Sequence, residues 1–123
     1  LITHLGRPKG KVVPELSLNP IFDYFKKNLK EKIYFYQNEM DNNAVEASNK
    51  LASGEVLLFE NIRFFKEEES NEESFAKKLA SLGDIFINEA FSCSHRKLKL
   101  KKLPTVTEQE FLELALNVTT KEL

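Results

Sequence analysis

Val56-Leu57-Leu58-Phe59 offers no polar side chain for either face of a strand. Antiparallel strands with one wet face alternate apolar and polar residues, whereas a strand covered on both faces reads as a continuous apolar run. The stretch Glu55–Phe59, continued by Glu60-Asn61-Ile62-Arg63-Phe64-Phe65, is therefore expected to be a parallel strand buried between helices. Three other β-prone runs accompany it: Leu1-Ile2, Ile33-Tyr34-Phe35-Tyr36 and Asp84-Ile85-Phe86-Ile87-Asn88.

Helical periodicity fills the intervals. Leu18, Ile21, Phe22, Phe25 and Leu29 form an apolar stripe after Ser17, a suitable N-cap, with Pro20 in the first turn. A second helix is expected over residues 39–53, with Met40, Ala44 and Leu51 on its buried side and Gly54 as its stop. Lys66–Glu69 reads as an acidic loop, and Ser70 with Glu73 as a capping box for a helix carrying Phe75, Ala76, Leu79, Ala80 and Leu82. Strands alternating with helices predict right-handed crossovers. The expected fold class is α/β: a parallel Rossmann-like sheet with helices on both faces, an incomplete three-layer αβα domain.

Composition narrows the function. The chain of 123 residues has a net charge of −1, so it exerts no general pull on nucleic acid or anionic membrane. Its single cysteine, Cys93, excludes an internal disulfide and suits a reducing cytoplasm. No apolar run approaches the roughly 20 residues of a membrane span. The chain starts with Leu inside an apparent strand, and a truncated domain is expected on that ground.

Ligands of open parallel sheets gather beyond the carboxyl ends of the strands. His4, Leu5, Gly6 and Arg7 leave the first strand, Arg63 the third, and His95 and Arg96 the fourth, so all are expected on one rim. Guanidinium groups grip phosphate and carboxylate in a planar, bidentate manner. Apart from Glu60 and Glu89, no acidic residue in these turns matches the arginines. The pattern points to a site for a small, strongly anionic molecule. Other motifs fall short. Gly6 to Gly10-Lys11 is one residue short of a P-loop, and Val12 stands where Ser or Thr is needed. Cys93, His95 and His4 lack paired zinc-ligand spacing, and Cys93 has no orienting third group for nucleophilic work. The acidic residues Glu67–Glu69, Glu72 and Glu73 read as a solvated first turn, not a metal site.

His4-Leu5-Gly6-Arg7-Pro8-Lys9-Gly10, Gly54 to Phe64 with its Glu60-Asn61-Ile62-Arg63-Phe64 end, Ala76 to Asp84, and Asn88 to Arg96 together resemble phosphoglycerate kinase. The resemblance covers residues 1 to about 97, part of that family's N-terminal, 3-phosphoglycerate-binding domain. It implies that His4, Leu5, Gly6, Arg7, Arg63 and Arg96 hold the triose phosphate and carboxylate. It also implies reversible phosphoryl transfer between 1,3-bisphosphoglycerate and ADP, with Mg²⁺ and ATP or ADP as the complete enzyme's cofactors, in cytoplasmic glycolysis by a monomer. No metal and no nucleotide are expected on this piece, whose nucleotide-binding domain is missing, so it is expected to be inactive alone. The family's Asp-x-Asn motif and a later arginine are absent, and Lys97-Leu98-Lys99-Leu100 departs from the family pattern. Residues 98–123 are expected to be a divergent tail with one amphipathic helix, capped by Thr107 and striped by Phe111, Leu112, Ala115 and Leu116. The competing reading is a non-catalytic anion-binding module or the remnant of a decayed gene.

Overall fold

A computed structural model of the chain describes residues 1–87 and the backbone of residues 105 and 106. Its centre is a parallel pair of strands, β1 (Ile33–Tyr36) and β2 (Val56–Phe59), with Ile33 opposite Val56 and Tyr36 opposite Phe59. Helix α1 (Asn19–Asn28) precedes β1 and helix α2 (Asn42–Asn49) makes the crossover to β2. A single helical turn, α3 (Lys66–Glu69), and helix α4 (Glu73–Ala80) follow.

Strand periodicity divides the core into two layers. Ile33, Phe35, Val56 and Leu58 point to one face, where Leu18 and the α1 residues Ile21, Phe22 and Phe25 cover them. Phe22 and Phe35 stack with ring centroids 5.2 Å apart. Tyr36, Leu57 and Phe59 point to the other face, against Ala44 and Ala47 of α2 and Phe75 and Leu79 of α4. Small residues on α2 let that helix lie close to the sheet, while Tyr36 meets Phe59 edge-on at 5.5 Å. Leu57, Leu58 and Phe59 are all buried, as their uninterrupted apolar run requires. The chain has the α/β fold, with helices on both faces of a parallel sheet.

The opening residues lie along the second edge of β2. Leu1 N donates to Leu57 O at 2.6 Å, and Phe59 N donates to Leu1 O at 3.0 Å. Bonds that flank Leu58 in this way are those of a parallel ladder. Farther on, Ile62 N donates to Thr3 O at 3.2 Å, so the turns after Thr3 and after Phe59 leave the sheet side by side.

Several boundaries differ from those the sequence suggests. The strand does not continue to Phe65: it ends at Phe59, and Ile62–Phe64 form a 3₁₀ turn because the Asn61 side chain accepts a hydrogen bond from Arg63 N at 3.1 Å. Ser17 is not the N-cap of α1, since Leu18 holds that position. Helix α2 is shorter than residues 39–53, capped by Asp41 and closed by Lys50. No capping box joins Ser70 and Glu73: Ser70 closes α3, the turn that replaces the expected acidic loop, and its hydroxyl donates to Lys66 O. Phe86–Ile87 (β3) pairs in parallel with Thr105–Val106 (β4), a strand not foreseen, and this pair is hydrogen-bonded separately from β1 and β2. Asn88, the Lys97–Lys102 segment and the helix expected after Thr107 lie outside the described residues.

Candidate anion-binding site

Two turns meet at the carboxyl end of β2, and a fully buried asparagine joins them. Asn61 Nδ2 donates to Leu5 O and to Leu16 O, each at 2.8 Å, while its Oδ1 accepts from Arg63 N. Both amide hydrogens and the amide oxygen are thereby used, as a fully buried polar side chain requires. The His4–Gly10 turn is tied a second time where Gly10 N donates to Arg63 O at 3.2 Å. Gly10 has φ +67°, and a Cβ there would stand 2.8 Å from Lys66 Cα, so only glycine lets the turn pass the start of α3.

Arg63 lies between the two turns and is only 9% exposed. Its Nη1 donates to Gly6 O at 3.0 Å. Its Nε is buried without a hydrogen-bond partner. A guanidinium carries five donors, and leaving one buried and unmatched is costly. Glu60, the acid nearest in sequence, does not neutralise it. Glu60 Oε2 accepts from Ser17 Oγ at 2.7 Å, and Oε1 accepts from Leu18 N and Asn61 N, each at 2.8 Å. That carboxylate instead ties the start of α1 to the turn after β2.

Of the residues singled out in the sequence, the structure brings His4, Leu5, Gly6 and Arg7 to one turn and sets Arg63 against it through Gly6. Arg7 is exposed, as are Lys9 and Lys11 on the same turn, while His4 is half-buried. Arg96 lies outside the described residues, with Cys93, His95 and Glu89. Asn61 and Glu60 were not foreseen as the residues that shape this rim. A polar pair between the apolar runs Val56–Phe59 and Ile62–Phe65 was the available sign, because polar groups in such a place need internal partners. Among the described residues, no group of three or more His, Cys, Asp or Glu is placed to hold a metal ion. None of their helices is long and apolar enough to cross a membrane.

The rim thus presents a buried guanidinium whose Nε has no hydrogen-bond partner beside an exposed cationic turn, an arrangement suited to phosphate or carboxylate. The family model for phosphoglycerate kinase matches residues 1–108. The chain belongs to the phosphoglycerate kinase family. A phosphoglycerate kinase of Leptospira biflexa is 46% identical over 94 residues, 76% of this chain and 24% of its own length. One from Clostridioides difficile is 44% identical over 115 residues, covering 92% of this chain and 28% of its own length. A third, from Chlorobium phaeobacteroides, is 45% identical over 96 residues, 78% of this chain and 24% of its own length. The chain therefore spans about a quarter of the length of the phosphoglycerate kinases it matches. The His4–Gly10 turn, Glu60, Asn61 and Arg63 all fall within the family match.

Proposed function

We propose that this chain supplies part of the 3-phosphoglycerate side of a phosphoglycerate kinase. The reaction is reversible phosphoryl transfer between 1,3-bisphosphoglycerate and ADP, giving 3-phosphoglycerate and ATP. The observation that carries this reading is the buried guanidinium of Arg63, braced on Gly6 O with Nε unmatched, in a chain of this family. In this reading His4, Leu5, Gly6, Arg7, Arg63 and Arg96 take the phosphate and carboxylate of the triose. In the same reading residues 1–97 are the partial substrate-binding domain and residues 98–123 a divergent tail, although the family match runs on to residue 108.

Phosphoryl transfer demands little covalent chemistry from a protein and much positioning of anionic groups. Residues on the rim would orient the triose by charge-assisted hydrogen bonds and hold its reacting oxygen toward the nucleotide. Mg²⁺ with ATP or ADP neutralises charge on the transferred group in phosphoryl-transfer enzymes generally. In this reading metal and nucleotide are held by the remaining length of the enzyme. A monomer acting in cytoplasmic glycolysis completes the proposal.

Two measurements test it. Calorimetric or NMR titration of the purified chain with 3-phosphoglycerate should give weak, salt-sensitive binding. A coupled assay supplying 1,3-bisphosphoglycerate, ADP and Mg²⁺ should give no ATP from the chain alone. Absence of binding at low salt would overturn the anion site. Turnover that persists after contaminating enzyme is removed would overturn the assignment of nucleotide and metal to the absent part.

A further inference from the structure

We propose that Asn61 is the positioning residue of the anion site, setting the distance between the His4–Arg7 turn and the Arg63 guanidinium. This inference rests on the anion-site reading and deepens it. Asn61 is fully buried, and its one side chain holds three separate pieces of backbone. Nδ2 binds Leu5 O in the cationic turn and Leu16 O at the approach to α1, and Oδ1 binds the amide of Arg63. Leu5 and Gly6 are consecutive, and Gly6 O is the atom on which Arg63 Nη1 rests. The same amide therefore fixes both ends of the contact between the turn and the guanidinium. Asn61 itself is anchored by its own N–H to Glu60 Oε1, which also binds Leu18 N at the start of α1.

Aspartate and serine cannot replace it. Aspartate matches the shape and keeps an acceptor for Arg63 N, but its carboxylate has no donor for Leu5 O or Leu16 O. Serine has a single donor on a shorter stem. Only a primary amide at this depth supplies two donors and an acceptor in one plane. Nearby Ser17 serves as a structural control. Its hydroxyl donates to Glu60 Oε2, so Ser17→Ala weakens the tie to α1 without removing any bond to the His4–Gly10 turn.

The test compares the full chain with Asn61→Asp and Ser17→Ala, using 3-phosphoglycerate as the probe and amide NMR spectra as the structural readout. Asn61→Asp should weaken binding about tenfold or more, consistent with the loss of two buried hydrogen bonds. Its Gly6, Arg7 and Gly10 amide signals should shift while those of β1 and β2 stay in place. Ser17→Ala should lower the unfolding midpoint and leave the affinity as in the parent. Equal affinity in the parent and in Asn61→Asp would overturn the positioning role. So would a loss of binding that comes only with loss of the β1 and β2 signals, since Asn61 would then be merely structural. If the parent does not bind the probe, the anion-site reading fails instead. The Gly6, Arg7 and Gly10 shifts then decide the bracing by themselves, their absence counting against it.

Discussion

Arg63 Nη1 rests on the carbonyl oxygen of Gly6 at 3.0 Å, across 57 positions of sequence. The guanidinium thus supports the glycine turn, and in the proposed reading it also serves the anion. Arg63→Lys should do both less well. An ammonium is a compact point charge and cannot reproduce the planar fork. Arg63→Ala leaves Gly6 O without its partner and should destabilise the chain by about 1–3 kcal/mol. Both variants should bind 3-phosphoglycerate more weakly, with Ala the worse. Denaturant unfolding alongside ligand titration separates the two effects. Parent-like stability in Arg63→Ala would remove the bracing role.

The α/β class was legible because the apolar runs carry their own period. Val56–Phe59 announced a strand buried on both sides, and the α1 stripe through Leu18, Ile21, Phe22 and Phe25 announced its cover. The ends of elements were less legible. Ser17 and Ser70 are good caps by residue type, yet other partners, distant for Ser17 and local for Ser70, decide their roles. Ser17 donates to Glu60, 43 positions away, and Ser70 turns back to Lys66 O and Glu72. Leu29, expected on the α1 stripe, closes that helix and is 38% exposed. The arginine and glycine content of the rim could be read directly from the chain. Its bracing by Asn61 could not, because that depends on which carbonyls the fold brings within 3 Å of one amide.

Gly10 and Gly54 both have positive φ, +67° and +82°, but their surroundings differ. A Cβ on Gly54 meets nothing within 4 Å, whereas one on Gly10 runs into the Lys66 backbone. Gly54→Ala should cost only the backbone strain of a left-handed alanine, about 1–2 kcal/mol. Gly10→Ala adds a steric collision and should cost more, with the Gly10–Arg63 hydrogen bond weakened. Thermal midpoints of the two variants give the ranking, and a smaller loss for Gly10→Ala would show that the turn yields without harm.

Leu58 is completely buried at the middle of β2, under Leu18 and α1. Leu58→Ala should destabilise the chain by about 2–5 kcal/mol, the usual range for opening such a cavity. Val12, 77% exposed, should tolerate alanine within about 0.5 kcal/mol. A chain of this length holds little stability in reserve, so Leu58→Ala is expected to be largely unfolded at physiological temperature. Circular dichroism against denaturant concentration checks both. A cooperative transition for Leu58→Ala near the parent midpoint would mean that the α1 layer is not essential to the sheet.

Asp41 gives the fold a defined acid sensitivity. Its Oδ1 accepts from Asn43 N at 2.9 Å and Ala44 N at 3.2 Å, capping α2, and also from the Tyr36 hydroxyl at 3.3 Å. Desolvation pushes its pKa up, but the Ala44 and Asn43 amides, the Asn43 side chain and the Tyr36 hydroxyl outweigh it and hold the carboxyl below its ordinary value. A folded-state value below the unfolded one, about 3.9, means that the stabilisation is complete above that pH. It is lost as pH falls from there through the folded value. Glu46, beside Lys50, and Glu55, on the Ala52 amide, are shifted in the same direction and contribute to the same limb. Asp41→Asn keeps an acceptor for the cap but does not titrate, so its stability should fall less steeply between about pH 5 and pH 2. Asp41→Ala should be less stable than the parent at neutral pH as well, because the cap itself is gone. Urea unfolding across that pH range decides it: an Asp41→Asn limb as steep as the parent's would assign the acid sensitivity to the other carboxylates.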